Sequence, residues 1–287
     1  MAAATQGSAV VKEVPWVDAW VRWERNDATD EKNVEIENND DEEEELPPPT
    51  ESYTFTYPNP NNNGNNDIVI ELKGFHEDSE QIWNSTGLKL WQSSAVLCQH
   101  LVNVEAAEML QDTTNYSNLR VLEVGSGLGR CGLLAHCLSH DNVTTVLTDG
   151  DTDTLQQLRR NISNNVSDSD DTITCRQLLW GEQHAKDYLS QQTGDGNKHF
   201  DLILGSDLIY VQSVIQPLFE TVQVLLSTDE KSKFLMAHCS RREGNEVELP
   251  MVLDVAKEQG FDFEVLSEDD DISLFCFRRR GANANVG

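Results

Sequence analysis

Three glycines at alternate positions mark the most informative stretch of the chain. Gly125, Gly127 and Gly129 follow the strand predicted at 119–124, which is mainly apolar, and lead into a stretch with helical periodicity. Glycine at such a turn lets the backbone bend sharply and lets a ligand approach the main chain closely. Ligands of open parallel sheets bind at the carboxyl ends of the strands, where this loop is expected to lie. The loop is therefore the first candidate binding site.

The spacing of the glycines and the residues around them restrict the ligand. The dinucleotide fingerprint G-x-G-x-x-G requires a third glycine where this chain has Arg130. The chain also has no G-x-x-x-x-G-K-S/T phosphate loop. Glu123, two residues before Gly125, places a carboxylate beside the loop, and a carboxylate suits an ammonium group better than a pyrophosphate. These features argue against a dinucleotide.

An acidic residue at the end of the next predicted strand supplies a second contact. Asp149 follows the strand predicted at 143–148, a position from which a carboxylate accepts hydrogen bonds from ribose hydroxyls. Asp151 is the alternative for this role, although it could instead cap the helix that follows. A ribose and an ammonium group without a diphosphate describe S-adenosyl-L-methionine. We therefore predict this compound as the cofactor.

Four sequence blocks, in a fixed order and at compatible spacing, make a family resemblance specific. They are Gly87-Leu88-Lys89-Leu90-Trp91, the glycine loop, Leu178-Leu179-Trp180-Gly181, and residues 200–210, which end in Asp207-Leu208-Ile209-Tyr210. With these blocks the chain resembles, over residues 68–279, the class I seven-strand S-adenosylmethionine-dependent methyltransferases. Within that class it is similar to the lysine methyltransferase family 16 branch, whose members act on non-histone proteins.

The resemblance implies which residues hold the cofactor. They are Trp91, Glu123, Gly125, Ser126, Gly127, Asp149, Trp180 and Ser206. Glu123 would reach the methionine ammonium, and Trp180 would lie beside the adenine, for which an indole is a large flat contact. One position departs from the family, because Gln92 follows Trp91 where the branch commonly has Asp. Any family role that needs a carboxylate at this position is therefore not assigned to Gln92.

Asp207 and Tyr210 follow the strand predicted at 200–205, where the transferable methyl group would sit. A lysine nucleophile must first lose its proton, which at pH 7 costs about 4.6 kcal/mol from an unperturbed pKa of about 10.4. We predict that Asp207 positions the amine and that Tyr210 offers its hydroxyl and ring face, neither acting as a strong base. In the alternative interpretation, the two residues are a helix cap and a core aromatic.

The predicted function is transfer of methyl groups from S-adenosylmethionine to a lysine of a non-histone protein substrate. Two alternatives stay open at this point. The first is a methyltransferase for a small molecule or another protein side chain. The second is a catalytically idle binding module with the same fold, against which the intact glycines and the Asp207-x-x-Tyr210 pair argue.

Composition excludes other classes of function. Among 287 residues, 50 are acidic and 21 are basic, which gives a net charge of −29. Because such a chain repels phosphate backbones, we expect no nucleic-acid partner, and without an apolar stretch of about 18 residues we expect no membrane span. The scattered histidines and cysteines form no zinc pattern, so no metal is predicted. We expect a monomer. Scattered cysteines suit a reducing compartment, so we expect the protein in the cytoplasm, with the nucleus as a second location.

Apolar patterns predict the elements that must position these residues. Strands are predicted at 68–72, 119–124, 143–148, 173–178, 200–205, 232–238, 262–266 and 272–278, and helices at 89–110, 129–139, 151–164, 212–227 and 245–259. This alternation indicates an α/β, doubly wound, mainly parallel seven-stranded sheet, which is a Rossmann-like methyltransferase fold. The last two strands follow each other directly and are expected to form a C-terminal antiparallel hairpin.

The chain is divided by composition into four parts. They are an N-terminal Trp-rich segment at 1–25, an acidic and Asn-rich disordered linker at 26–66, the methyltransferase domain at 67–280, and a disordered tail at 281–287. The linker is assigned because residues 26–51 contain twelve acidic side chains against one lysine, and residues 59–66 are nearly all Asn. Such segments bury too little apolar surface to offset their chain entropy.

Overall fold

The computed structural model describes seven stretches of the chain. They are residues 45–59, 67–114, 118–140, 143–192, 198–240, 247–269 and 271–281. The predicted Trp-rich segment, the acidic run as far as residue 44, and the tail from residue 282 lie outside the described residues.

A β-hairpin precedes the main sheet and corrects the predicted domain boundary. Strand β1 (Glu51–Tyr57) pairs antiparallel along its whole length with β2 (Ile68–Gly74). The prediction that residues 26–66 form a disordered linker is therefore wrong for β1. Tyr53, Phe55 and Tyr57 alternate along it and pack against the core of the domain. This alternation of aromatic residues is a strand signal, which the acidic and Asn-rich composition on either side outweighed.

Seven further strands form the central sheet. They are β3 (Arg120–Glu123), β4 (Thr144–Asp149), β5 (Ile173–Gln177), β6 (Leu202–Ser206), β7 (Lys233–Cys239), β8 (Phe261–Asp269) and β9 (Ile272–Arg279). Their order across the sheet is β5-β4-β3-β6-β7-β9-β8. Pairing is parallel from β5 to β7, whereas β9 is antiparallel to both β7 and β8. The predicted seven-stranded α/β sheet with a C-terminal antiparallel hairpin is confirmed.

In the described residues, helices and short helical turns pack on both faces of the sheet. They are α1 (Glu80–Asn84), a 3₁₀ turn (Thr86–Leu88), α2 (Ser93–His100) with its π-helical continuation (Leu101–Leu110), α3 (Arg130–Leu138), α4 (Thr152–Asn165), α5 (Glu182–Gln191), α6 (Ile215–Leu225), which a 3₁₀ turn (Gln212–Val214) precedes, and α7 (Leu249–Glu258). The sequence patterns did not predict α1 and α5, which are short and bury at most one residue completely. In the part of the chain that the structure describes, no helix is long and apolar enough to cross a membrane.

Both faces of the sheet are buried, which explains why its strands are continuous apolar runs. In β3, Val121 packs into the cluster under α2, α3 and α4, whereas its neighbour Leu122 packs into the cluster under α5, α6 and α7. Leu202 and Ile203 in β6 divide in the same way. A strand covered by helices on both sides needs apolar residues at every position rather than at every second one. The two layers of helices leave the carboxyl ends of β3, β4 and β6 accessible.

Candidate active site

A cavity of about 340 Å3 lies at the carboxyl ends of β3, β4 and β6. All ten site residues predicted from the sequence line it, namely Trp91, Glu123, Gly125, Ser126, Gly127, Asp149, Trp180, Ser206, Asp207 and Tyr210. The fold brings them together because the carboxyl ends of neighbouring parallel strands meet at one edge of the sheet.

The glycine loop forms the floor of the cavity in a backbone conformation that favours glycine over other residues. Gly125 and Gly127 have φ values of +59° and +52°, in the left-handed region that side chains with a Cβ rarely adopt. A Cβ on Gly125 would lie 2.7 Å from a methyl carbon of Leu208 and 3.3 Å from the ring of Trp180. A Cβ on Gly127 would lie 3.1 Å from the carbonyl oxygen of Gly87. The loop is thus packed closely between Leu208, which follows β6, Trp180 and the segment before α2, and its glycines line the cavity.

Glu123 is a buried acidic side chain without a basic partner among the described residues. Its side chain is 2% exposed, and Oε2 accepts a hydrogen bond of 3.0 Å from the backbone N–H of Gly132 at the start of α3. Burial raises the pKa of Glu123 to about 8. No ion pair joins this carboxylate to a lysine, arginine or histidine of the described chain. Its environment therefore suits a ligand that brings its own positive charge.

The buried state of Glu123 predicts a pH dependence of stability for the ligand-free protein. Because the folded-state pKa of Glu123 is about 8, the folded chain keeps a proton that the unfolded chain releases near its ordinary pKa. The free energy of unfolding should therefore fall with rising pH, by up to about 1.4 kcal/mol per pH unit, between the unfolded and folded pKa values.

The Glu123→Gln variant has no proton to lose at this position, so its stability should fall less across the same pH window. Thermal unfolding of both proteins between about pH 5 and pH 8 measures the difference. Parallel pH profiles would contradict the buried-carboxylate assignment.

Asp149 and Asp151, which the sequence left as alternatives, have different roles. Asp149 Oδ2 accepts a hydrogen bond of 3.0 Å from the N–H of Gly127, and burial raises the pKa of Asp149 to about 6. Asp151 instead caps α4, since its Oδ2 accepts hydrogen bonds from the backbone N–H and the hydroxyl of Thr154, at 2.8 and 2.7 Å. Asp149 is thus the carboxylate that lies against the glycine loop.

Asp207 joins the end of β6 to the start of α2. Its carboxylate accepts hydrogen bonds from both the backbone N–H and the hydroxyl of Ser93, at 2.9 and 2.8 Å. The residue is 8% exposed and has a φ of +56°, the only left-handed value among the described non-glycine residues. Such a conformation persists where the surroundings hold it in place, and it occurs often at functional sites. Asp207 therefore does cap a helix, but that helix is α2 and not the one that follows it in sequence.

Both tryptophans of the site line the cavity. Trp91 donates from its indole nitrogen to the carbonyl oxygen of Thr86 at 3.0 Å, and the ammonium of Lys89 lies 4.2 Å from its ring centroid. Trp180 follows β5 and lies beside Gly125. Trp180 therefore lies at a strand end and lines the cavity, while its contact with the adenine stays a prediction.

Sequence reasoning missed several residues that line the cavity. Among them are Asn84, Ser85 and Thr86 before α2, Ser94 in α2, and Arg130 at the start of α3. The first group directly precedes the recognised block at 87–91, so extending that block by one turn would have found it. Arg130 was noted from the sequence only as the residue that breaks the dinucleotide fingerprint. Within the described residues, no group of three or more His, Cys, Asp or Glu side chains could hold a metal ion.

The fold and the site together define a class of protein. A mainly parallel seven-stranded sheet, with an antiparallel hairpin at one edge and a glycine loop after its central strand, is the Rossmann-like methyltransferase fold. The crystallised T. thermophilus 16S rRNA N2 G1207 methyltransferase RsmC is similar in fold, with a TM-score of 0.50 over 82% of this chain and 52% of that chain, at 14% identity. Residues 75–253 match the lysine methyltransferase family. The chain belongs to that family.

Curated relatives carry names that agree with the family. The protein-lysine N-methyltransferase EFM6 of Saccharomyces cerevisiae is 28% identical over 165 residues, which are 55% of this chain and 66% of that protein. EEF1A lysine methyltransferase 3 of Mus musculus is 24% identical over 192 residues, which are 67% of this chain and 71% of that protein. The matched region spans 66% of EFM6, 49% of a UPF0665 family protein of Schizosaccharomyces pombe and 46% of the protein-lysine N-methyltransferase EFM3 of Saccharomyces cerevisiae. The chain thus matches between 46% and 66% of the length of these three proteins.

Proposed function

We propose that the protein is an S-adenosylmethionine-dependent methyltransferase that modifies a lysine side chain of a non-histone protein. The observation that carries the proposal is one cavity in which Glu123, Asp149 and Asp207 surround a glycine loop at the carboxyl ends of three strands. Membership of the lysine methyltransferase family supports the choice of a lysine acceptor. The names of the relatives, which refer to protein lysines and in one case to EEF1A, support a protein as the substrate.

The residues of the cavity fit the parts of the cofactor. Glu123 is buried without a cation, so the methionine ammonium would supply the charge that this carboxylate lacks. Asp149, held against the loop by the Gly127 N–H, keeps lone pairs for the ribose hydroxyls. Trp180 offers its ring face to the adenine. When bound, the cofactor supplies an electrophilic methyl group on a sulfonium.

The acceptor side of the site is the end of β6. Ser206, Asp207 and Tyr210 line the cavity there, and the two hydrogen bonds from Ser93 fix the carboxylate of Asp207. A carboxylate held in this way can position the amino group of a lysine without taking its proton. Desolvation of the amine beside the cationic sulfonium would lower its pKa, which offsets part of the deprotonation cost. Alignment of the amine with the methyl group supplies much of the remaining rate.

Methyl transfer from labelled S-adenosylmethionine tests the proposal. The purified full chain is incubated with the labelled cofactor and a cell extract, and the labelled product is identified by mass spectrometry. We expect label on a protein, at a lysine. Label confined to small molecules or to other side chains would contradict the lysine acceptor, and no cofactor binding by calorimetry at millimolar ligand would contradict the enzyme itself.

A further inference from the structure

The ionisable side chains that line the cavity are mostly acidic. Four carboxylates line it, those of Glu123, Asp149, Asp151 and Asp207, whereas Arg130 is the one cationic side chain among the described lining residues. S-adenosylmethionine carries the reverse set of charges, with two cationic groups, its ammonium and its sulfonium, and a single anionic group, the α-carboxylate. A site complementary to this ligand needs one cation, and the cavity has one.

The guanidinium of Arg130 is held in a fixed orientation. Its Nε donates to the hydroxyl of Tyr57 at 2.9 Å, and its Nη1 donates to the hydroxyl of Ser94 at 3.2 Å. The ring of Phe55 lies beneath it, with its centroid 3.6 Å from the guanidinium carbon. These contacts use two of the five N–H donors, and the described residues offer no other acceptor to the rest. A planar fork fixed in this way is preorganised to bind a carboxylate through two donors.

Two connections place Arg130 at the amino-acid end of the proposed cofactor site. Arg130 opens α3, and the same first turn of that helix holds the carboxylate of Glu123 through the N–H of Gly132. Ser94, which binds Arg130, is adjacent to Ser93, which binds Asp207. Arg130 therefore belongs to the wall formed by α2 and α3, whereas Asp149 lies at the carboxyl end of β4.

We propose that Arg130 binds the α-carboxylate of the methionine part of the cofactor. Glu123 and Arg130 then form a zwitterion site, in which one residue takes the ammonium and the other the carboxylate on the same carbon atom. The inference rests on the proposed cofactor and adds a residue that the glycine loop and the sequence blocks do not include. Through Tyr57 and Phe55, it also gives the hairpin of β1 and β2 a part in cofactor binding, because the hairpin orients the guanidinium.

A comparison of ligands with and without the carboxylate tests this assignment. Calorimetry would measure binding of S-adenosylmethionine and of decarboxylated S-adenosylmethionine to the wild-type chain and to Arg130→Met, whose apolar side chain still covers Phe55. We expect the wild type to prefer the carboxylate-bearing ligand by roughly 10- to 100-fold, about 1.4 to 2.7 kcal/mol. In Arg130→Met this preference should fall to within about twofold, while affinity for the decarboxylated ligand stays near that of the wild type.

The matched control is Tyr57→Phe, which removes the hydroxyl that holds Nε and leaves the charge of Arg130 in place. It should keep most of the wild-type preference. If Arg130→Met weakens both ligands equally, Arg130 only supports the hairpin and the assignment is overturned. The wild-type measurement alone can also overturn the assignment, since equal affinity for the two ligands would mean that no residue binds the α-carboxylate. A wild-type chain that binds neither ligand would overturn the proposed function together with this inference.

Discussion

The Gly127→Arg variant is expected to lose at least about 100-fold in affinity for S-adenosylmethionine, or more than about 2.7 kcal/mol. Gly127 has a φ of +52°, and any Cβ there points toward the carbonyl oxygen of Gly87 at 3.1 Å. A long cationic side chain at this position would fill the floor of the cavity and would also pair with Asp149, which now accepts the N–H of Gly127. Calorimetry with S-adenosylmethionine measures the loss.

The matched control for this variant is Gly260→Arg. Gly260 also has a left-handed φ, of +84°, but the nearest atom to an added Cβ is a side-chain nitrogen of Gln223 at 3.7 Å, away from the cavity. Both substitutions carry the same kind of backbone strain, of about 1 to 2 kcal/mol. Only the change at Gly127 should remove binding. Undiminished affinity in a folded Gly127→Arg protein would show that the glycine loop is not the cofactor site.

The Asp207→Asn variant is expected to lose roughly 30- to 1,000-fold in turnover, equivalent to about 2 to 4 kcal/mol of transition-state stabilisation. Asn tolerates the left-handed φ of this position and can still accept one hydrogen bond from Ser93, so the fold should survive. The lost charge removes the group proposed to position the amine. Cofactor affinity should change by less than about 1 kcal/mol, as measured by calorimetry beside the turnover assay.

Ser93→Ala separates positioning from helix capping. It removes the hydroxyl donor at 2.8 Å but keeps the backbone N–H donor and the charge of Asp207. If Asp207 only caps α2, both variants should lose stability and neither should lose much turnover. Wild-type turnover in Asp207→Asn would refute the acceptor-site assignment, whereas loss of cofactor binding would move Asp207 to the cofactor side.

Tyr210→Phe should weaken turnover less than Asp207→Asn does. The ring that lines the cavity remains, and only the hydroxyl is removed. A cost of about 0.5 to 1.5 kcal/mol, the net contribution of one typical hydrogen bond, is expected in turnover. A larger loss than that of Asp207→Asn would indicate that the tyrosine hydroxyl, and not the carboxylate, positions the amine.

Some of this protein's features depend on short stretches of sequence, and these were predicted correctly. The loop after β3 combines an apolar strand, alternating glycines and a helix start within residues 119–130. Asp149 and Asp207 stand at or just after the ends of their strands, where local pattern alone places them. Because parallel strands bring their carboxyl ends to one edge, local patterns and the topology together predicted that these residues line one cavity.

Only the tertiary structure decided which of Asp149 and Asp151 lies against the glycine loop and which caps α4. The two aspartates are only two positions apart in the sequence, and a carboxylate at either position could bind a ribose or cap a helix. In the folded chain, Asp151 bonds to Thr154, while Asp149 reaches across to Gly127 in the neighbouring loop. The choice depends on how β3 and β4 align, which no pattern within one segment specifies.

Sequence by itself determined the class of fold, the glycine loop and the family, because these depend on repeated local signals in a fixed order. Only the tertiary structure decided that Ser93 holds Asp207 across 114 positions of the chain and that Tyr57 orients Arg130 across 73. It also decided that β1 belongs to the folded domain. The physical reason is that side chains far apart in sequence meet only when helices and hairpin pack on the sheet, and the resulting hydrogen bonds have no periodicity that a single segment could display.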